Sequence, residues 1–203
     1  REIEVIYRAA RHGQPHGLPD LPVQYVDYVT WQQQWLTSGA IDEARAFWRE
    51  QLRAPLAVIQ LPSDRRRSQA PSGRGATVAA VLPRDLSDAV RTLARREGGT
   101  PYMVILAALQ ALIARYTGET DVPVGTAIAN RHRAEAAAMV GFFANNLVMR
   151  GDLSGDPTLR EVLARVRPMA AAAYAHQEMP FDVLVDLLAP PRTRETSPLF
   201  QVM

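Results

Sequence analysis

The stretch Met139–Arg150, MVGFFANNLVMR, decides how the rest of the chain is read. It opens on a turn with paired aromatics (Gly141, Phe142, Phe143), passes through two adjacent amides (Asn145, Asn146) and ends in an apolar, β-compatible run. Aromatic side chains drive burial, whereas neighbouring amides must find hydrogen-bond partners or stay near water. A channel wall meets both demands, so the stretch is expected to line one.

Working outward, Asp121–Ile128 (DVPVGTAI) reads as a central strand with an early proline. The polar burst that follows it, Ala129-Asn130-Arg131-His132-Arg133, falls at a strand end, where open α/β sheets place functional groups. On the other side, Asp152–Asp156 is a turn, and Asp156-Pro157 supplies an N-cap and a first-turn residue. Leu159, Val162, Leu163 and Val166 then mark a buried helical face, in which Pro168 is expected to introduce a kink. Alanines lead to His176-Gln177-Glu178-Met179-Pro180-Phe181, and Phe181, Leu184, Val185 and Leu188 define a short helix that stops at Pro190-Pro191. Ser197–Met203 reads as a final strand.

The first half is largely helical. Ile3, Ile6, Tyr7 and Ala10 recur at helical spacing before the stop Arg11-His12-Gly13-Gln14-Pro15. After a proline-rich crossing, Tyr28, Trp31 and Trp35 share one helical face, with Asp27 as a polar anchor, and a second helix over Asp42–Leu52 presents Phe47 and Trp48. Pro62–Gly75 is a surface connection, and Thr77–Leu82 (TVAAVL) reads as a strand. An amphipathic helix from Leu86 ends at Gly98-Gly99. Thr100-Pro101 then opens a helix apolar on nearly every side, expected in the middle of the fold and closed by Gly118. Helices and strands alternate without a strict βαβ rhythm and without internal repeats, which gives an α+β class with helices packed on a mixed sheet.

Composition narrows the function. The 203 residues are 47% hydrophobic and 22% charged, an ordinary globular balance, and a net charge of +2 does not describe a nucleic-acid binder. Arg65–Arg67 lies among Ser, Asp, Pro and Gly and reads as a solvated loop run. The absence of cysteine removes disulfides, thiolate metal sites and a Cys nucleophile, and it fits the cytoplasm. No run reaches the ~20 apolar residues needed to span a bilayer, so no membrane partner is expected. Arg1 in place of an initiator Met leads us to read the chain as a piece of a longer polypeptide.

Among chemical motifs there is no phosphate-cradling glycine loop, HExxH or CxxC, and His12 and His16 have no carboxylate company, so no metal site is expected. GxSxG is absent, and Ser38, Ser72 and Ser154 all sit in turn-like surroundings. His176 and Glu178 are two residues apart and would not face each other on a helix, which favours a loop-fixing role over a general base with its orienter.

Five segments, in order, resemble the later motifs of the condensation domains of nonribosomal peptide synthetases. YVDYVTW (Tyr25–Trp31) resembles YxDFAVW, and GTAIANRHRAE (Gly125–Glu135) resembles GTPIANRxRAE. MVGFFANNLVMR resembles IGxFVNTLxxR, AHQEMPFDVLV (Ala175–Val185) resembles HQDxPFExLV, and RETSPLFQVM (Arg194–Met203) resembles RDxSRxPLFQVM. The resemblance implies a chloramphenicol-acetyltransferase-like fold of two lobes, with a tunnel for the phosphopantetheine arms of two carrier proteins. It also implies amide formation between a donor acyl or peptidyl thioester and an acceptor aminoacyl thioester, with no directly bound cofactor. Residues 1–40 would be the end of the N-terminal lobe and the inter-lobe connection. Residues 41–203 would be a C-terminal lobe incomplete at its own C-terminus.

By the same resemblance Asn145, Phe143 and Gly141 line the tunnel. Arg131, or else Arg133, would pair with the Asp of the family's HHxxxDG motif. Tyr25, Asp27, Trp31, His176, Gln177, Pro180 and Phe181 are motif residues with structural roles. HHxxxDG itself has no counterpart among the 203 residues, so the piece alone is not expected to condense substrates. The FANN wording departs from FVNT by removing a β-branched side chain and placing an amide where a hydroxyl stands. The partners implied are carrier proteins, a neighbouring adenylation domain and the missing N-terminal lobe. Two other readings stay open: an epimerisation or dual condensing and epimerising domain, and a non-catalytic lobe that docks carrier proteins.

Overall fold

The structure is a computed structural model, and it describes residues 2–64, 74–190 and 197–203. The arginine run 65–67, Ser72, and residues 194–196 of the last motif lie outside the described residues. Two units emerge, Arg1–Gly39 with Arg131–Phe143, and Ala40–Asn130 with Ala144–Met203. The deciding stretch therefore divides between Phe143 and Ala144.

The first unit contains α1 (Glu2–Arg11), α2 (Tyr25–Thr37) and a loop over 131–143 with one short 3₁₀ turn, Ala134–Ala137. Its core is small: Ala136, Met139 and Phe143 are buried, with Leu21, Val23, Tyr25 and Tyr28 packed around them. Helix α1 has its expected period but buries nothing, and Ile3 is 85% exposed. In α2 a capping box closes the first turn, with the Asp27 side chain accepting from the Gln24 backbone N–H at 2.9 Å.

The second unit holds α3 (Asp42–Gln51), α4 (Arg84–Arg96), α5 (Pro101–Thr117), β1 (Asp121–Ile128), β2 (Asn145–Asp152), α6 (Leu159–Ala175) and α7 (Phe181–Leu188). Strands β1 and β2 are antiparallel, in register from Asp121 opposite Asp152 to Ile128 opposite Asn145. Helices α5 and α6 pack on this pair and on each other. Val122, Val124, Leu147, Met149, Val162 and Val166 form the core between them. Thr100 caps α5 by accepting from the Met103 N–H, and Gly118, at φ 77°, ends it in the left-handed region as its lack of a Cβ allows.

Gly125 donates its N–H to Val202 O at 2.8 Å, on the edge of β1 away from β2. Successive strand N–H groups point to opposite edges, so Pro123, two residues earlier, turns its missing donor the same way and costs no ladder bond.

Five expectations change. Thr77–Leu82 forms no strand, and Val78 and Val81 are 94% exposed, because β-propensity has no effect without a neighbouring strand to pair with. Residues 197–203 lie beside β1 through the Val202 bond but form no regular strand, and the described sheet is a purely antiparallel pair rather than a mixed one. Helix α6 starts later than Asp156-Pro157 indicated: Thr158 is its N-cap, in a reciprocal box with Glu161, and Asp156 takes φ 51° in the preceding turn. Helix α5 is not interior all round; it buries Val104, Leu106, Ala107, Gln110 and Ile113 and leaves Ile105 and Leu112 half exposed. Helix α6 continues through Pro168. Among the described residues no single helix is long and apolar enough to cross a membrane.

Candidate functional site

In the first unit, Arg131 organises the loop that precedes the amides. Its Nη1 donates to Ala136 O and, at 2.8 Å, to Met139 O, while Nη2 donates to Gly141 O at 3.2 Å. The guanidinium also lies 4.1 Å from the centre of the Phe143 ring. Tyr25 holds the far end of the same loop by donating its hydroxyl to Phe142 O at 2.9 Å. A Cβ on Gly141 would collide with the Tyr25 ring, so only glycine lets the loop come this close. The carbonyls of the loop are thus turned inward, and Val140 and Phe142 face solvent at 82% and 81% exposure.

Rings continue the unit along α2: Tyr25 stacks with Tyr28, Tyr28 meets Trp31, and Trp31 stacks with Trp35. Arg133 lies over Trp31, 3.9 Å from its ring centre. A cavity of about 200 Å³ opens here, with Tyr28, Trp31 and Met139 as apolar wall and Asp27, Arg133 and Glu135 as charged rim.

In the second unit the site is built on Asn145, the first residue of β2. Its Nδ2 donates to Gln177 O at 3.1 Å and Met179 O at 2.7 Å, and its Oδ1 accepts the Phe181 N–H at 3.0 Å. From the other side Trp48 Nε1 donates to His176 O at 3.1 Å, and the Phe47 ring lies 4.2 Å from the imidazole of His176. Pro180 is the N-cap of α7 and has no side-chain oxygen with which to cap it. Phe181 packs on Phe200 at 5.5 Å, and Phe200 occupies the space a Cβ on Gly125 would need.

Further residues hold this unit together. Tyr102 and Thr126 share a hydroxyl hydrogen bond of 2.5 Å, and burial, with Tyr102 alongside, pushes the Tyr174 phenol above its ordinary range. Gln110, fully buried, donates to Val122 O and Met149 O across the two strands, and its side chain fills the space beside Gly151. Arg150 places all five of its N–H donors, two on Asp121 and the others on Gln51 O, Arg53 O and Pro55 O. Among the described residues no three His, Asp or Glu side chains gather as a metal site would require.

The candidate residues therefore fall into two sets. Tyr25, Asp27, Trp31, Arg131, Arg133, Gly141 and Phe143 belong to the first unit, and Asn145, His176, Gln177, Pro180 and Phe181 to the second. Sequence reasoning gave no role to Arg150, Gln110 and Phe200, and it read Trp48 as part of a helix face without its bond to His176 O. The signal for Arg150 was there, as the closing residue of the MVGFFANNLVMR motif.

The family profile described as Condensation domain matches residues 1–203. The chain belongs to the condensation-domain family. Over 202 residues it is 44% identical to a linear gramicidin synthase of Brevibacillus parabrevis and 41% identical to the phosphinothricin tripeptide synthetase PhsC of Streptomyces viridochromogenes. It spans 3% of the length of the first and 19% of the second. Relatives of this kind make it a condensation domain of the nonribosomal peptide synthetase type. The crystal structure of the X-domain from teicoplanin biosynthesis superposes with a TM-score of 0.88 at 31% identity, over 99% of this chain and 47% of that one. The four-domain nonribosomal peptide synthetase AB3403 shares the fold, with a TM-score of 0.80 at 23% identity over 98% of this chain and 15% of that one. The fold is thus the condensation-domain fold of the chloramphenicol-acetyltransferase-like type, mixed helices with a small sheet.

Proposed function

We propose that this chain is the later part of a condensation domain that joins two carrier-bound substrates through an amide bond. The α-amine of the acceptor aminoacyl thioester attacks the carbonyl carbon of the donor thioester. A C–N bond forms, the C–S bond breaks, and the amine proton ends on the released pantetheine thiol. The observation that carries the proposal is the match of residues 1–203 to the family, with its motif residues in mutual contact inside each unit.

In this reading residues 1–40 end the N-terminal lobe and connect the lobes, and residues 41–203 form the C-terminal lobe. Gly141 and Phe143 belong to the tunnel wall, as does Asn145 through its backbone and the lone pair left on Oδ1. Arg131 and Arg133 are the candidates for an ion pair with the Asp of HHxxxDG; Arg131 has three of its five donors on carbonyls and two remaining. The phosphopantetheine arms arrive as parts of carrier-protein substrates, an adenylation domain is the neighbour, and the compartment is the cytoplasm.

The 203 residues contain no HHxxxDG, so we assign catalysis to the domain and not to this piece of it. Loaded donor and acceptor carrier proteins, mixed with the whole synthetase or with the 203-residue chain, test this when the acceptor-bound product is weighed by mass spectrometry. Product with the whole synthetase and none with the chain alone is expected; native rates from the chain alone would overturn it. Reading the gene upstream separates the condensing type from the epimerising one. A second reading, a lobe that docks a partner without catalysing, draws on a structural relative: the teicoplanin X-domain, 31% identical, has been solved in complex with OxyB. Loss of the second histidine from the upstream motif would favour it.

A further inference from the structure

The turn between α6 and α7 is held by side chains from elsewhere in its unit. His176 O accepts from Trp48 Nε1 and, at 3.4 Å, from Met179 N, while Pro180 O accepts from Leu184 N. Of the three carbonyls between them, Gln177 O and Met179 O both go to Asn145 Nδ2. Phe181 N–H is the first donor of α7, one of the four that a helix cannot satisfy itself, and it goes to Asn145 Oδ1. Pro180, as N-cap, offers no side-chain oxygen, so Asn145 caps α7 from a different element. Only a carboxamide of this length supplies two donors and an acceptor at once: Asp lacks the donors, Ser and Thr have one, and Gln is a methylene longer. Met179, 1% exposed, plugs the turn into the core, while His176, Gln177 and Glu178 stay half-buried at the surface.

We propose that Asn145 is a positioning residue, whose carboxamide sets the conformation of the turn His176–Phe181 and so the placement of the Gln177 and Glu178 side chains. That this turn borders the reacting groups rests on the function proposed above. The grip itself does not.

The test uses the full-length synthetase. In the unaltered protein the Phe181 amide, although first in its helix, exchanges with deuterium about 100-fold or more slowly than in a free chain. Asn145→Ala abolishes that protection and lowers the condensation rate roughly tenfold or more. Asn145→Asp keeps the acceptor for Phe181 but turns a carboxylate toward two carbonyl oxygens, which raises its pKa; a proton on it restores one donor. The ratio of variant to wild type, in Phe181 protection and in rate, therefore climbs as pH falls from about 8 to about 5. An unprotected Phe181 amide in the wild type, protection that survives Asn145→Ala, or a pH-independent ratio for Asn145→Asp would each overturn the proposal. Protection that follows these rules in a protein that forms no amide would leave the grip standing and remove the proposed function instead.

Discussion

The guanidinium of Arg150 and the carboxylate of Asp121 form a two-pronged ion pair, Nε to Oδ1 and Nη2 to Oδ2, both at 2.8 Å. The two side chains are 21% and 29% exposed, and the remaining Arg150 donors tie the last residue of α3 and the chain after it to the strand ends. A planar fork is required, which lysine lacks. Arg150→Lys and Arg150→Ala should each lower stability by roughly 2–3 kcal/mol, less than the cost of breaking a fully buried pair. Denaturant unfolding checks this, and loss of the lysine variant's defect would show that charge alone sufficed.

Gly125 and Phe200 are matched in space. Gly125→Ala should cost roughly 1–3 kcal/mol, since the new Cβ overlaps the ring. Phe200→Leu frees that space, so the double variant should be less destabilised than the sum of the singles by at least about 0.5 kcal/mol. Simple additivity in a double-mutant cycle would refute the contact.

Two carboxyls should titrate below their usual range. Asp152 is held down by its side-chain and backbone hydrogen bonds with Ser154, helped by Arg165, and Glu161 by the backbone and then the side chain of Thr158. A depressed folded-state pKa contributes stability that is present above the unfolded value, near pH 4, and lost as pH falls through the folded value. Ser154→Ala and Thr158→Ala should raise the respective pKa toward normal and flatten the acid limb of the stability curve. NMR titration of the carboxyl carbons measures both shifts.

Exposed apolar side chains give a prediction about association. Val78, Val81, Val140 and Phe142, each above 80% exposed, should make the isolated 203-residue chain bind a hydrophobic dye and self-associate. Sedimentation as a single monomeric species without dye binding would count against a missing covering surface.

Helices were legible because their signals are local. Thr100-Pro101 and Gly118 bracket α5, and the apolar spacing from Leu159 to Val166 announces α6. The offset at the start of α6 arose because Asp156, Pro157 and Thr158 form successive start signals, and only the hydrogen bonds of Thr158 with Glu161 select among them. TVAAVL misled for a related reason: a strand is a relation between two segments, and β-propensity in one does not supply the other. The site was legible as motifs but not as roles. Motif wording did not show that Arg131 places three donors on carbonyls of its own loop, nor that Asn145 binds three backbone groups 32 to 36 residues away.

The sequence by itself determined the α+β class, the positions of the helices and of both strands, and the resemblance to condensation domains, since periodicity, caps and motif wording are carried by neighbouring residues. Only the tertiary structure decided why the motifs read as they do. Gly141 admits Tyr25, Gly125 admits Phe200, and Asn145 caps α7, because excluded volume and hydrogen-bond valence act between residues far apart in the chain, and no local pattern encodes them.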